Sequence, residues 1–141
     1  MMPCSPNVRF PFIGDETLNI GLIARSIFAQ PSKTVGRHVL GASEFLSCSE
    51  WAAKFTSTLR KKGKDVECVF VECTLKEYEG IWGPIGTEIG LMMQYIKEFG
   101  EESFNVVTGD KVMLTAEDLG IEGMRNTEER LDAENWEYIA N

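Results

Sequence analysis

Residues 47–77, SCSEWAAKFTSTLRKKGKDVECVFVECTLKE, decide the fold class, because they place a strand-like run between two helix starts. Ser47 followed by Glu50 is a capping box, in which hydroxyl and carboxylate satisfy each other's backbone N–H groups at the first turn of a helix. Trp51, Phe55 and Leu59 then recur every fourth residue up to Gly63, which predicts a helix over 48–62 with one apolar stripe. Val66 to Val71 is apolar and β-prone and reads as a buried strand. Thr74 followed by Glu77 is a second capping box, opening a short helix around Leu75 to Glu79. Helix, strand and helix in this order point to an α/β fold.

The same rhythm extends outward. Thr34 to Leu40 carries β-branched residues and reads as a short strand that leads through Gly41 into a loop. Before it, Ile20, Ile23, Ala24, Ile27 and Phe28 keep a helical spacing, with Asn19 placed as the cap and Pro31 as the stop, which predicts a helix over 19–30. Val8 to Ile13 is an edge strand because Pro11 removes a ladder donor, and residues 14–17 turn after it. On the other side, Thr87 is placed to cap a helix over 87–99 in which Ile89, Met92, Met93, Ile96 and Phe99 form an apolar stripe closed by Gly100. Thr115–Asp118 and Thr127–Glu129 are acidic starts of short surface helices. The expected architecture is one domain over 1–141, a small sheet flanked by helices. In it the strand at 66–71 pairs with the strand at 34–40, and the helices at 19–30, 48–62 and 87–99 cover the faces.

Composition limits what such a domain binds. The 22 Asp and Glu against 14 Lys and Arg give a net charge of −8, which repels phosphate backbones and anionic lipid, so neither nucleic acid nor membrane is an expected partner. No stretch approaches the roughly 20 apolar residues of a membrane helix, and the first residues have neither a basic nor an apolar leader region, so a cytoplasmic location is expected. Cys4, Cys48, Cys68 and Cys73 contain no C-x-x-C pair, and His38 is the single histidine. No metal site is expected, and all four thiols are expected to stay reduced.

Gly80-x-x-Gly83-x-x-Gly86 has the spacing of a dinucleotide-binding turn. Such a turn works when a strand feeds directly into it and the next helix points its N-terminus at the pyrophosphate. Here the helix at 75–79 intervenes and Pro84 removes one N–H, so an ordinary loop is expected. Tyr78 has Trp82 four residues on, where a short-chain dehydrogenase would carry lysine.

The runs Phe10–Glu16, Asn19–Ala24, Thr34–Gly41 and Val69–Tyr78, the helix with Trp51 and Phe55, the methionine-bearing helix and Glu117–Gly120 resemble the C-terminal part of NmrA-like proteins, which are atypical short-chain dehydrogenases. The resemblance covers most of the chain and rests on hydrophobic pattern and glycines. It implies the substrate-covering half of a two-part oxidoreductase of fungal-type specialised metabolism, with residues 1–31 resembling the remnant of the Rossmann half. The chain would be truncated, or the missing half would be supplied by a Rossmann-containing partner. NADP or NAD is implied for a full-length protein, and no cofactor is expected for this chain alone. A family aspartate often stands where Asn19 is, a change expected to preserve capping. Family members that act as redox sensors or co-regulators imply a second reading, a non-catalytic regulatory module.

The expected ligand is a small hydrophobic molecule, and Trp82, Ile85, Met92, Met93 and Tyr95 are the candidate pocket residues. No catalytic residue is assigned. Methionines at helical spacing also serve as core filler, and a loop tryptophan can pack inward. Arg60-Lys61-Lys62-Gly63-Lys64 resembles a phosphate patch but also complements the helix dipole, and Asp15 and Glu16 read as solvated turn carboxylates. Val8, Phe10, Phe12 and Ile13 are expected to be exposed where a larger sheet would continue, so self-association or partner binding is expected.

Overall fold

The computed structural model describes residues 1–105, 107–108 and 111–139. It is a mixed α/β chain in two compact units. Unit 1 comprises Met1–Phe10, Leu46–Ser103 and Ile139–Asn141, and unit 2 comprises Pro11–Phe45 and Phe104–Tyr138. The chain passes between them within the two short strands β1 (Arg9–Phe12) and β2 (Glu44–Ser47), which pair with each other. Ser43 N–H donates to Phe12 O at 2.8 Å and Cys48 N–H to Val8 O at 3.3 Å, so the ribbon is antiparallel.

Unit 1 is built from helices. Helix α3 (Cys48–Lys61) starts at the capping box read from the sequence, with Ser47 Oγ accepting from Glu50 N–H and the Glu50 carboxylate accepting from Ser47 N–H. Helix α4 (Leu75–Trp82) starts at the Thr74/Glu77 box in the same way and runs three residues beyond its expected end. Helix α5 (Pro84–Phe99) begins at Pro84, not Thr87, because proline at the first helical position loses only an N–H that would have no partner there. Between α4 and α5, Gly83 takes φ +64°, ψ −149°, a conformation that side chains rarely tolerate. The expected loop at Gly80–Gly86 is therefore the closed end of a helical hairpin. A Cβ at Gly86 would lie 2.8 Å from Trp82 Cβ and 3.0 Å from Tyr78 O, and one at Gly90 would overlap Leu75 Cδ1. These two glycines allow α5 to approach α4. The core of the unit joins Cys4, Cys48 and Met93, with Val8, Phe10 and Phe70 packed against them.

In unit 2, helix α1 (Glu16–Ala29) starts three residues earlier than expected. Asp15, not Asn19, is its cap, and accepts from Thr17 N–H at 3.1 Å. Pro31 opens the short α2 (Pro31–Thr34), and the buried Thr34 hydroxyl bonds to Ile27 O and Gln30 O at the end of α1. Helix α6 (Thr127–Ala133) has a third capping box, Asn126 with Glu129, which the sequence reading missed. Strands β3 (Val107–Thr108) and β4 (Lys111–Val112) form a small antiparallel pair.

The expected pairing of 66–71 with 34–40 is not made, and the two segments belong to different units. Residues 34–40 are taken up by α2 and a turn, leaving an isolated bridge from Val39 to Leu114. Residues 66–71 are extended, with Val66, Cys68 and Phe70 turned inward and Glu67, Val69 and Val71 outward, yet among the described residues they meet only an isolated bridge, at Glu72 to Met2. Their period-2 pattern is that of a strand, but a strand also needs a neighbour, which periodicity cannot supply.

Candidate functional site

A hollow in unit 1 lies between α3 and the extended segment 66–71. Its position follows from one threonine: Cys68 N–H donates to Thr56 Oγ1 at 2.9 Å, and the same hydroxyl donates to Cys68 O at 3.3 Å. One α3 side chain thus does the work of a missing ladder partner and holds the segment alongside the helix. Ala52 and Ala53, one turn earlier, are too small to fill the space this leaves. The result is an open groove of about 740 Å³. Val69, Phe70 and Pro6 add apolar wall, Arg60 and Lys61 stand on the lining from the last turn of α3, and Glu67 stands across from them on the extended segment. The basic run therefore has a second role besides complementing the helix dipole, since two of its members line a groove.

A smaller hollow of about 450 Å³ lies by Val8, Arg9, Ile96 and Lys97. Arg9 is committed there, bonding Glu101 at 2.9 Å and Glu50 at 3.3 Å.

The pocket residues expected from the sequence do not meet in either hollow. Met93 is buried in the thiol core. Trp82, Ile85, Met92 and Tyr95 are all more than half exposed, on the outside of the α4–α5 hairpin. Val8 and Phe10, expected to be exposed, are half-buried against that core. In unit 1 the α4–α5 hairpin, not residues 8–10, carries a run of exposed apolar side chains.

The remaining candidates have structural partners. Asp15 is buried, and bonds from the Thr17 hydroxyl and the Arg125 guanidinium hold its carboxyl below the usual range. Arg130 does the same for Glu16 with a bidentate contact at 3.1–3.2 Å. Asp15 is therefore not a solvated turn carboxylate, whereas Glu16, in the first turn of α1, stays exposed. Cys4 and Cys48 share the core, and burial followed by the neighbouring Cys48 sulfur pushes the Cys4 thiol up to about 12, which suppresses the thiolate that nucleophilic chemistry requires. Among the described residues no three His, Cys, Asp or Glu side chains gather where they could hold a metal ion, and no helix is long and apolar enough to cross a membrane.

No model of a known protein family matches the chain, and neither the curated proteins nor the solved structures contain a match.

Proposed function

We propose that the chain is a non-catalytic binding module, NmrA-like in kind, that takes an elongated apolar small molecule with an anionic end into the groove between α3 and residues 66–71. The observation that carries this reading is the composition of one concave surface: small, apolar and hydroxyl side chains along it, with Arg60 and Lys61 set against the single carboxylate of Glu67 on its lining. Its volume of about 740 Å³ falls among those of ordinary ligand sites, which combine an apolar wall with a few polar groups that fix orientation. In a chain of charge −8, a wall on which two cations outnumber one carboxylate favours an anionic group.

Dinucleotide binding does not fit the same chain. The α5 N-terminus begins with Pro84, which has no N–H, and Gly86 is used up by contact with Tyr78 and Trp82. In an NmrA-like assembly, NADP or NAD would come with a separate Rossmann-type chain, and this chain would cover the substrate.

Titration calorimetry with laurate, dodecanol and NADPH tests the reading. Laurate is expected to bind saturably, dodecanol more weakly, and NADPH not at all. Removing both cations with Arg60→Ala and Lys61→Ala should weaken laurate by about tenfold, the equivalent of ~1.4 kcal/mol. Laurate binding that is absent, or indifferent to both substitutions, rejects the groove as the site.

A further inference from the structure

The α4–α5 hairpin carries an apolar face that nothing in its own unit covers. Ile85, Ile89, Met92, Tyr95 and Phe99 follow the spacing i, i+4, i+7, i+10, i+14, so they form one stripe along about 21 Å of helix. All five are exposed, from 37% for Ile89 to 64% for Ile85, while Gly86, Gly90, Met93 and Ile96 take the buried side. Ile81 and Trp82 continue the exposed face at the end of α4, at 54% and 59%.

We propose that this face is where a second copy of the chain docks, with the two α5 helices antiparallel about a two-fold axis at Met92. Two observations select a second copy as the occupant. The first is area. With aromatic side chains carrying up to about 250 Å² each and aliphatic ones somewhat less, the exposed fractions of these seven residues amount to on the order of 800 Å², the share one partner contributes to a standard stable interface. It also exceeds what isolated surface apolar residues leave on a monomer.

The second is that the stripe is complementary to itself. Reversed about Met92, it sets Ile85 against Phe99 of the other copy, Ile89 against Tyr95, and Met92 against Met92. Tyr95 and Phe99 already lie together, with ring centroids 4.5 Å apart, as a flat pad at one end, and Ile85 and Ile89 supply branched aliphatic groups at the other. An isologous interface requires such matching of a patch with its own reverse. Met92 at the axis provides an unbranched side chain that adapts to its own copy.

Sedimentation velocity of the full chain across a concentration series tests this, with circular dichroism to confirm that each variant keeps its helices. The wild-type chain should dimerise at micromolar concentration. Raising the salt should tighten the dimer, because it screens repulsion between two copies of charge −8. Met92→Glu places two carboxylates at the axis and should weaken dimerisation by at least about 30-fold. Ile85→Lys and Phe99→Glu should each weaken it, and the two together should recover much of the loss, because each new charge meets its opposite only in the antiparallel register. A chain that stays monomeric at several hundred micromolar overturns the proposal. So does a dimer indifferent to Met92→Glu, or a double variant no better than the worse single one.

Discussion

The two units are held together by different chemistry. Unit 1 packs sulfur and carbon: Cys4, Cys48 and Met93 meet at its centre, with Val8, Phe10 and Phe70 around them. Unit 2 is tied by buried polar groups that bond to backbone. Asn19, with no exposed surface, donates from Nδ2 to Ile13 O at 2.5 Å and Arg125 O at 2.7 Å, and its Oδ1 accepts from Arg125 N–H at 3.0 Å. Asp15, Thr34 and the half-buried Gln30 add further bonds to backbone, and Asp15 also accepts from the Arg125 guanidinium. An apolar core tolerates substitutions of similar volume, whereas a satisfied polar lock fails when one atom changes its role.

The largest expected effect follows from that contrast. Asn19→Asp replaces a double donor by an acceptor facing two carbonyl oxygens, of which Arg125 O keeps only its bond from Asp15 N–H, and sets a buried anion against both. It should destabilise the chain by about 3–5 kcal/mol in urea unfolding. As a helix cap alone, position 19 would accept aspartate, and a loss under about 1 kcal/mol would support that role over the lock.

Next is a test of the packing in unit 1. Gly86→Ala improves helix propensity by about 1 kcal/mol, but its Cβ meets Trp82 Cβ and the Tyr78 carbonyl. Overpacking against a backbone atom should outweigh the gain, for a net loss of about 1–2 kcal/mol. A more stable variant in thermal unfolding would show that the hairpin opens easily and that unit 1 is less tightly packed than drawn here.

Caps give a matched pair, one in each unit. Ser47→Ala in α3 and Asn126→Ala in α6 each remove an identical kind of reciprocal box and should each cost about 1 kcal/mol. Unequal losses, read by unfolding and by local hydrogen exchange, would rank the two units by how far their helices depend on local signals.

The smallest effect is in pH. Cys4 has its pKa raised in the folded chain, from 9.0 to about 12. The unfolded chain therefore releases this proton first, and the stabilisation present below about pH 9 is lost as pH rises toward 12. Asp15 has the opposite sign: its carboxyl is lowered, so its contribution is present above the ordinary carboxylate range and is lost as acid protonates it. Cys4→Ser should flatten the alkaline limb alone. At pH 8 a thiol reagent should label Cys68 and Cys73, both half-buried, well before Cys4 and Cys48.

What was legible in the sequence was local. Capping boxes at Ser47 and Thr74 act within four residues, and apolar stripes act within one helix, so α3, α4 and α5 could be placed to within a few residues. The mixed α/β character was legible for the same reason. Strand pairing was not: Val66–Val71 has the composition and period of a strand, but its partner is a property of other segments, and Thr56 of α3 stands where a neighbouring strand was expected. Of the ribbon that does form, β1 lies within the edge strand read at Val8–Ile13, whereas β2, four residues long, leaves no pattern. Which side of a helix the core takes was not legible either. A helical stripe of Met92, Met93 and Tyr95 says that one face is apolar, but not which of those residues the core takes.

The sequence by itself determined where α3, α4 and α5 lie to within about a turn, because caps, prolines and glycines act through bonds to their nearest neighbours. Only the tertiary structure decided that Asn19 locks residues 13 and 125 together, that Gly86 and Gly90 seat one helix against another, and that Arg60 and Lys61 line a groove. Each depends on groups far apart in the chain meeting within a few ångströms, a distance that no local pattern encodes.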